Sequence, residues 1–194
     1  MSVPLEQQII RTAYHEAGHL VVAAIQNLKL RSEGLAVDTR GEGLACYCKQ
    51  VGDSDEKRES IVVATFSGYN SEYKLCAEHG YPGPDEMLLI FSSDAREARE
   101  TITKLSNLSA NRTVFQIEEA MQSRSRVLVQ QGWQSIRAVA EVLLAKEWEP
   151  LRALASGNVW SREQSAKYLN GEEVAGLLAG HGIQAEVTAS CQEG

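Results

Sequence analysis

Five consecutive residues, His15-Glu16-Ala17-Gly18-His19, supply the groups from which a hydrolytic metal site can be made. Two histidines four apart on an α-helix lie on one face, one turn apart, so both imidazoles can hold the same ion. Zinc accepts neutral imidazole, and its catalytic sites take three protein ligands while keeping one position for water. Glu16, beside His15, can act as general base toward that water. The pattern would arise by chance in roughly 1% of chains of this length and composition. Gly18 costs the helix about 1 kcal/mol relative to Ala. A glycine there predicts close packing or substrate approach, with space left beside the metal.

The helix that must carry the motif is legible as a repeat. Ile9, Ile10, Ala13, Ala17, Leu20, Val21, Ala24 and Ile25 recur at helical spacing, from a start near Leu5 to an end at Asn27. Two short strands follow, Leu35 to Asp38 and Leu44 to Lys49, with Thr39 to Gly43 as a hairpin loop. Asp53-Ser54-Asp55-Glu56 has the form of a capping box and opens a second helix that runs to about Gly80. Tyr81-Pro82-Gly83-Pro84-Asp85 must be a loop, since two prolines and a glycine do not fit a helix interior. Ser92-Ser93-Asp94 opens a third helix, ending near Asn107 or Asn111. Helical periodicity returns from Val114 to Lys146, with a break at Gly132. Two short helices are expected at Ser161 to Leu169 and Glu172 to Leu178, the latter capped by Asn170, and a frayed tail from Gln184. The expected architecture is a single, mainly α domain over residues 1–194, with a small β-hairpin or sheet after the first helix.

The formal net charge of −7 argues against nucleic acid or an anionic membrane as partner, since both select a basic face. The start, Met1-Ser2-Val3-Pro4-Leu5-Glu6, lacks a signal-peptide pattern, and the apolar run Leu20 to Ile25 is too short to span a bilayer. A soluble cytoplasmic protein is the expectation. None of Cys46, Cys48, Cys76 and Cys191 lies in a Cys-x-x-Cys pair, and reduced thiols are expected, with Cys46 and Cys48 on one strand face. His79 and His181 read as helix-end residues, and Trp133, Trp148 and Trp160 as core or helix-packing residues.

The stretch Arg11-Thr12-Ala13-Tyr14-His15-Glu16-Ala17-Gly18-His19-Leu20-Val21-Val22 resembles the start of the peptidase domain of FtsH-type AAA+ zinc metalloproteases. Leu35 to Leu44 is similar to that family's strand, basic loop and strand. Ser67-Gly68-Tyr69-Asn70-Ser71-Glu72 stands where the family has Gly-Gly-Arg-Ala-Ala-Glu, with the arginine lost. Ser92-Ser93-Asp94, followed by Ala98 and Thr101, looks like the segment that supplies an aspartate ligand, and Val114 to Leu178 resembles the helical C-terminal part. The resemblance implies a zincin-like fold with zinc held by His15, His19 and Asp94 and Glu16 as catalytic base. Glu72 is the alternative third ligand. The family's ATPase module and membrane anchor have no counterpart, and the chain has no Gly-x-x-x-x-Gly-Lys phosphate loop. The expected activity is therefore a stand-alone, ATP-independent zinc metallopeptidase acting on short or unfolded polypeptides, which could add to the strand Leu44 to Lys49 as an extra β-strand. Two alternatives are a zinc-containing binding or regulatory domain with little or no proteolysis, and hydrolysis of a non-peptide amide. Oligomeric state is not legible.

Overall fold

The computed structural model describes residues 3–49, 54–84, 92–108, 112–150 and 165–191. Among them are six helices: α1 (Leu5–Ile25), α2 (Asp55–His79), α3 (Ser93–Leu108), α4 (Val114–Gln131), α5 (Trp133–Ala145) and α6 (Gly171–Gly180). The strands are β1 (Leu30–Asp38), β2 (Gly43–Tyr47), β3 (Glu149–Pro150), β4 (Ser165–Leu169) and β5 (Val187–Thr188). The expectation of a mainly helical protein with a small sheet after the first helix holds.

α1 is the central element. Its second half is buried on nearly every side, because α2, α5 and the β1–β2 pair all pack against it. Helix and sheet share one large apolar cluster that includes Leu20, Val21, Leu35, Val62, Ile136 and Leu178. Two helices approach closely only where side chains are small, and α1 meets α2 through Gly18. A Cβ at Gly18 would lie 2.7 Å from the Ser67 carbonyl oxygen and 2.8 Å from Ser71 Cβ. Ser67 Oγ, fully enclosed, donates to the Gly18 carbonyl at 3.0 Å. Gly18 thus serves helix packing, and the space beside the imidazoles comes from another glycine on α2.

The sheet runs β2-β1-β4-β3, with β5 added in parallel to the start of β1. β1 and β2 are antiparallel, Leu35 opposite Ala45 and Val37 opposite Gly43. The loop between them is held by buried Asp38, whose Oδ1 accepts from the backbone N–H groups of Arg40 (2.9 Å) and Glu42 (2.8 Å). Thr12 Oγ1 of α1 donates to the Gly41 carbonyl at 2.8 Å, which docks this hairpin beside the His-Glu-x-x-His turn of α1.

Element ends follow local chemistry. Ser54 caps α2, and Gly80 ends it in the left-handed region at φ 67°. Thr113 with Gln116, and Asn170 with Glu173, form reciprocal capping boxes at the starts of α4 and α6. Gly132 separates α4 from α5 as expected. Asp53, Asp85, Asn111, residues 161–164 and Trp160 lie outside the described residues.

Four expectations are corrected. Residues 165–169 form a strand and not a helix. Ala166 and Leu169 are buried three apart, a spacing that mimics a helix, but Leu169 pairs with Leu35 and Ala166 with Asp38. The tail is not frayed up to residue 191, because β5 pairs with β1 and Cys191 is bonded to Cys48. Those two cysteines are therefore not reduced thiols, whereas Cys46 and Cys76 are free and buried. Trp148 is 39% exposed beneath Lys167 and is not a core residue; Trp133 is buried against Tyr14. No helix among the described residues is long and apolar enough to cross a membrane.

Candidate metal centre

His15, Glu16 and His19 project from the buried middle of α1. α2 lies beneath the two imidazoles, and Gly68 makes this possible: a Cβ there would lie 2.7 Å from His15 Cδ2 and 2.6 Å from His19 Cε1. Asp94 comes from the first turn of α3, where the Ala95 N–H donates to Ser92 Oγ at 3.1 Å. Asp94 Oδ2 lies 3.0 Å from His15 Nε2 and 3.2 Å from His19 Nε2. The donor atoms of His15, His19 and Asp94 all lie within 4.8 Å of one another, a group that could hold a metal ion. Side-chain exposure rises from 6% at His19 to 20% at His15 and 30% at Asp94, so the group opens to solvent on the Asp94 side.

The outer nitrogens of both rings are occupied. His19 Nδ1 is 2.8 Å from the carbonyl oxygen of Ala64, which can only accept, so the proton sits on Nδ1. His19 Nε2 faces the Asp94 carboxylate at 3.2 Å, where a second ring proton or a metal cation can stand between them. Either supplies the positive charge that a part-buried carboxylate among imidazoles needs. Glu72 Oε2 is 3.4 Å from His15 Nδ1, and Glu72 Oε1 accepts from Arg11 Nε at 2.7 Å. Glu72 therefore stands behind His15, outside the converging group, and orients the ring as carboxylates commonly do for metal-bound histidine. Two ligand atoms about 2.0–2.1 Å from a tetrahedral ion are roughly 3.3 Å apart. The 3.0 and 3.2 Å separations are hydrogen-bond distances that an ion could replace with little movement. The donor set, its outer partners and the space left by Gly68 all fit a metal.

The charges are strongly coupled. Burial works against a charged His15, but hydrogen bonds with Asp94 and Glu72 and the field of Glu16 outweigh it and raise the pKa to about 10. Burial opposes ionisation of Asp94 as well, yet the two histidines hold its carboxyl far below the usual carboxylate range. Glu72 is also lowered: burial is overcome by His15 and Arg11. Glu16 goes the other way. Burial raises it, and the histidines only partly offset this. Its carboxylate rests against β2, where a Cβ on Gly43 would come within 2.6 Å of Glu16 Cγ. Among the described residues no hydrogen bond holds that carboxylate in place.

No family model matches the chain, and no curated protein matches it. The site is therefore read from its own geometry. The structure brings His15, His19 and Asp94 together, with Glu16 on the adjoining side. It leaves His79 stacked on Tyr81 at the end of α2 and His181 at the end of α6. Sequence reasoning missed four contributors: Gly68 as the space-maker, Arg11 behind Glu72, the Ala64 carbonyl behind His19, and Tyr47. Tyr47 is enclosed beside His19, at 6.5 Å between ring centroids, and burial pushes its hydroxyl up to about 12. Gly68 and Arg11 each carried a signal, lying one turn before Glu72 and His15 respectively. A cavity of about 1020 Å³ adjoins His15 and Asp94, with Phe66, Tyr69, Tyr73 and Arg126 among its walls.

These roles separate by metal affinity. Glu72→Gln should weaken zinc binding by about 10–100-fold, as loss of an outer partner does. Asp94→Ala, which removes a ligand, should weaken it by more than that and leave only weak binding to the two histidines. Competition against a chelator of known affinity measures both, and a Glu72→Gln loss as large as that of Asp94→Ala would make Glu72 a ligand.

Proposed function

We propose that this protein is a zinc metallopeptidase, with His15, His19 and Asp94 as ligands and Glu16 as general base. One observation carries the reading: two imidazole nitrogens and a carboxylate oxygen converge, and the same helix turn offers an ionisable Glu16 that no donor among the described residues holds. A site that only stabilises a fold usually closes zinc with four protein ligands and has no use for such a carboxylate.

Zinc bound there would supply Lewis-acid polarisation of a carbonyl and a water acidic enough to ionise near neutral pH. The chain supplies the rest. Glu16 takes a proton from the attacking water and returns it to the leaving amine nitrogen, and its raised pKa suits both transfers. Glu72 and Ala64 keep the two rings in fixed tautomers and orientations. The partly enclosed cavity beside His15 and Asp94 gives room for flanking substrate residues.

A peptide substrate is favoured by β2. It lies at one end of the sheet order, and its outer edge is unpaired among the described residues. An extended peptide could hydrogen-bond along it, beside Glu16. Short or unfolded polypeptides meet that requirement, since a folded segment has already used its backbone groups.

Glu16→Gln should keep zinc and lose about 10²–10⁴-fold in turnover of unfolded polypeptides. If wild type and variant leave a panel of such substrates equally intact while both hold zinc, the enzymatic reading fails and a zinc-containing binding domain stands in its place. The edge strand has its own test. The Asp38 N–H donates to Glu42 O, and antiparallel alternation then turns the Ala45 N–H outward. Ala45→Pro should raise KM for peptides severalfold with zinc content unchanged; an unaltered KM contradicts strand addition.

A further inference from the structure

Three consecutive residues at the exit of β2 are each tied to a different part of the chain. Tyr47 Oη lies 3.2 Å from Thr65 Oγ1 of α2, in a fully enclosed contact beside His19. Cys48 is disulfide-bonded to Cys191, 143 residues away, with 5.4 Å between the Cα atoms. Lys49 Nζ donates to Glu97 Oε2 of α3 at 2.7 Å and lies 5.0 Å from the centroid of the Tyr47 ring. Glu97 is one turn beyond Asp94 on the same helix. α3 packs chiefly on α2 and α4, and among the described residues this ion pair ties the end of β2 to the helix that delivers the carboxylate ligand.

The disulfide closes a strap. The tail enters beside the start of β1, where the Leu30 N–H donates to Glu186 O at 2.8 Å and Val187 pairs with Leu30. It ends on Cys48, whose own N–H donates to Lys29 O at 2.8 Å. Cys48 is buried and Cys191 half-buried, so the bond is approached from the tail side. Opening it would remove the covalent tie between the tail and the strand end that carries Lys49, leaving only hydrogen bonds to hold each.

We propose that the Cys48–Cys191 disulfide controls the metal site by positioning Asp94 through Lys49 and Glu97. With the bond closed, Lys49 is held over Glu97 and the first turn of α3 keeps Asp94 on the two imidazoles. With the bond open, the strand end that carries Lys49 loosens, its tie to that turn weakens and the site loses affinity. The opening reaction is thiol–disulfide exchange with a dithiol reductant. One thiolate of the reductant attacks Cys191 Sγ, the S–S bond breaks, and Cys48 leaves as a thiolate that takes up a proton. The second thiol resolves the mixed disulfide, so the reductant leaves as a disulfide and the protein gains two electrons and two protons as two thiols. Lys49 and Glu97 are positioning residues here. The inference rests on the metal reading of His15, His19 and Asp94.

The test measures zinc affinity by chelator competition for oxidised wild type, wild type reduced with a phosphine, Cys191→Ser and Lys49→Gln, with thiol titration confirming the state of the bond. Reduction, Cys191→Ser and Lys49→Gln should each weaken zinc by about tenfold, and reduction should add little to Lys49→Gln. The same pair of redox states is then compared in Asp94→Ala, using a weaker chelator. There, with the positioned ligand gone, reduction should change nothing. An equal fall in Asp94→Ala would show general loosening and overturn the inference, as would an unchanged affinity in reduced wild type. A chain whose Cys48 and Cys191 stay as free thiols under oxidising conditions also overturns it. Oxidised wild type that binds no zinc at all would instead overturn the metal reading itself, and the inference with it.

Discussion

Two imidazole nitrogens and a carboxylate oxygen cannot share a half-buried site without positive charge among them. At His19 the constraint is sharpest, because Nδ1 is committed to the Ala64 carbonyl and Nε2 meets Asp94 at 3.2 Å across a second proton or a cation. Much of the surrounding structure follows from meeting that condition. α1 and α2 must approach closely enough to set both rings over a helix backbone, and Gly18, Ser67 and Gly68 permit it. Arg11 neutralises Glu72, so the carboxylate behind His15 does not add an uncompensated charge. Ser92 caps the turn that brings Asp94 in.

Glu16 shows how one helix turn gives two kinds of side chain opposite roles. His15 is enclosed by carboxylates and held protonated in the metal-free state, whereas Glu16 is pressed against β2 at Gly43 and raised by burial. The residues are neighbours in sequence but face different walls. In the proposed function this separation would let one side of the turn bind a cation while the other moved protons. It also places Glu16 beside the sheet edge and the open cavity beside His15 and Asp94.

Much of the fold was legible because its elements announce themselves locally. The apolar repeat of α1, the Ser54 and Asn170 caps and the break at Gly132 are short-range signals, and each element formed close to its expected bounds. Long-range pairing was not legible. Ala166 and Leu169 mimic helical spacing, and only their partners on β1 make them a strand. No spacing rule links Cys48 to Cys191 across 143 residues, so the tail was expected to fray. At the site, His15, Glu16 and His19 could be read from an i, i+4 rule. Asp94 needed the family resemblance, and the separation of Glu72 from the ligand group needed coordinates. The disulfide also bears on the expected cytoplasmic setting: such bonds persist chiefly in oxidising surroundings and are rare in the cytosol, so a bond that opens and closes there would report a change of redox state.

The central claim is the composition of the metal centre, and X-ray absorption at the zinc edge of the loaded wild-type protein tests it most directly. One zinc per chain is expected, surrounded by nitrogen and oxygen atoms at about 2.0–2.1 Å, with the multiple-scattering signature of two imidazoles and no sulfur. A sulfur shell near 2.3 Å would move the metal to the free thiols of Cys46 or Cys76, and absence of bound zinc would remove it altogether. Either result would contradict the centre built from His15, His19 and Asp94.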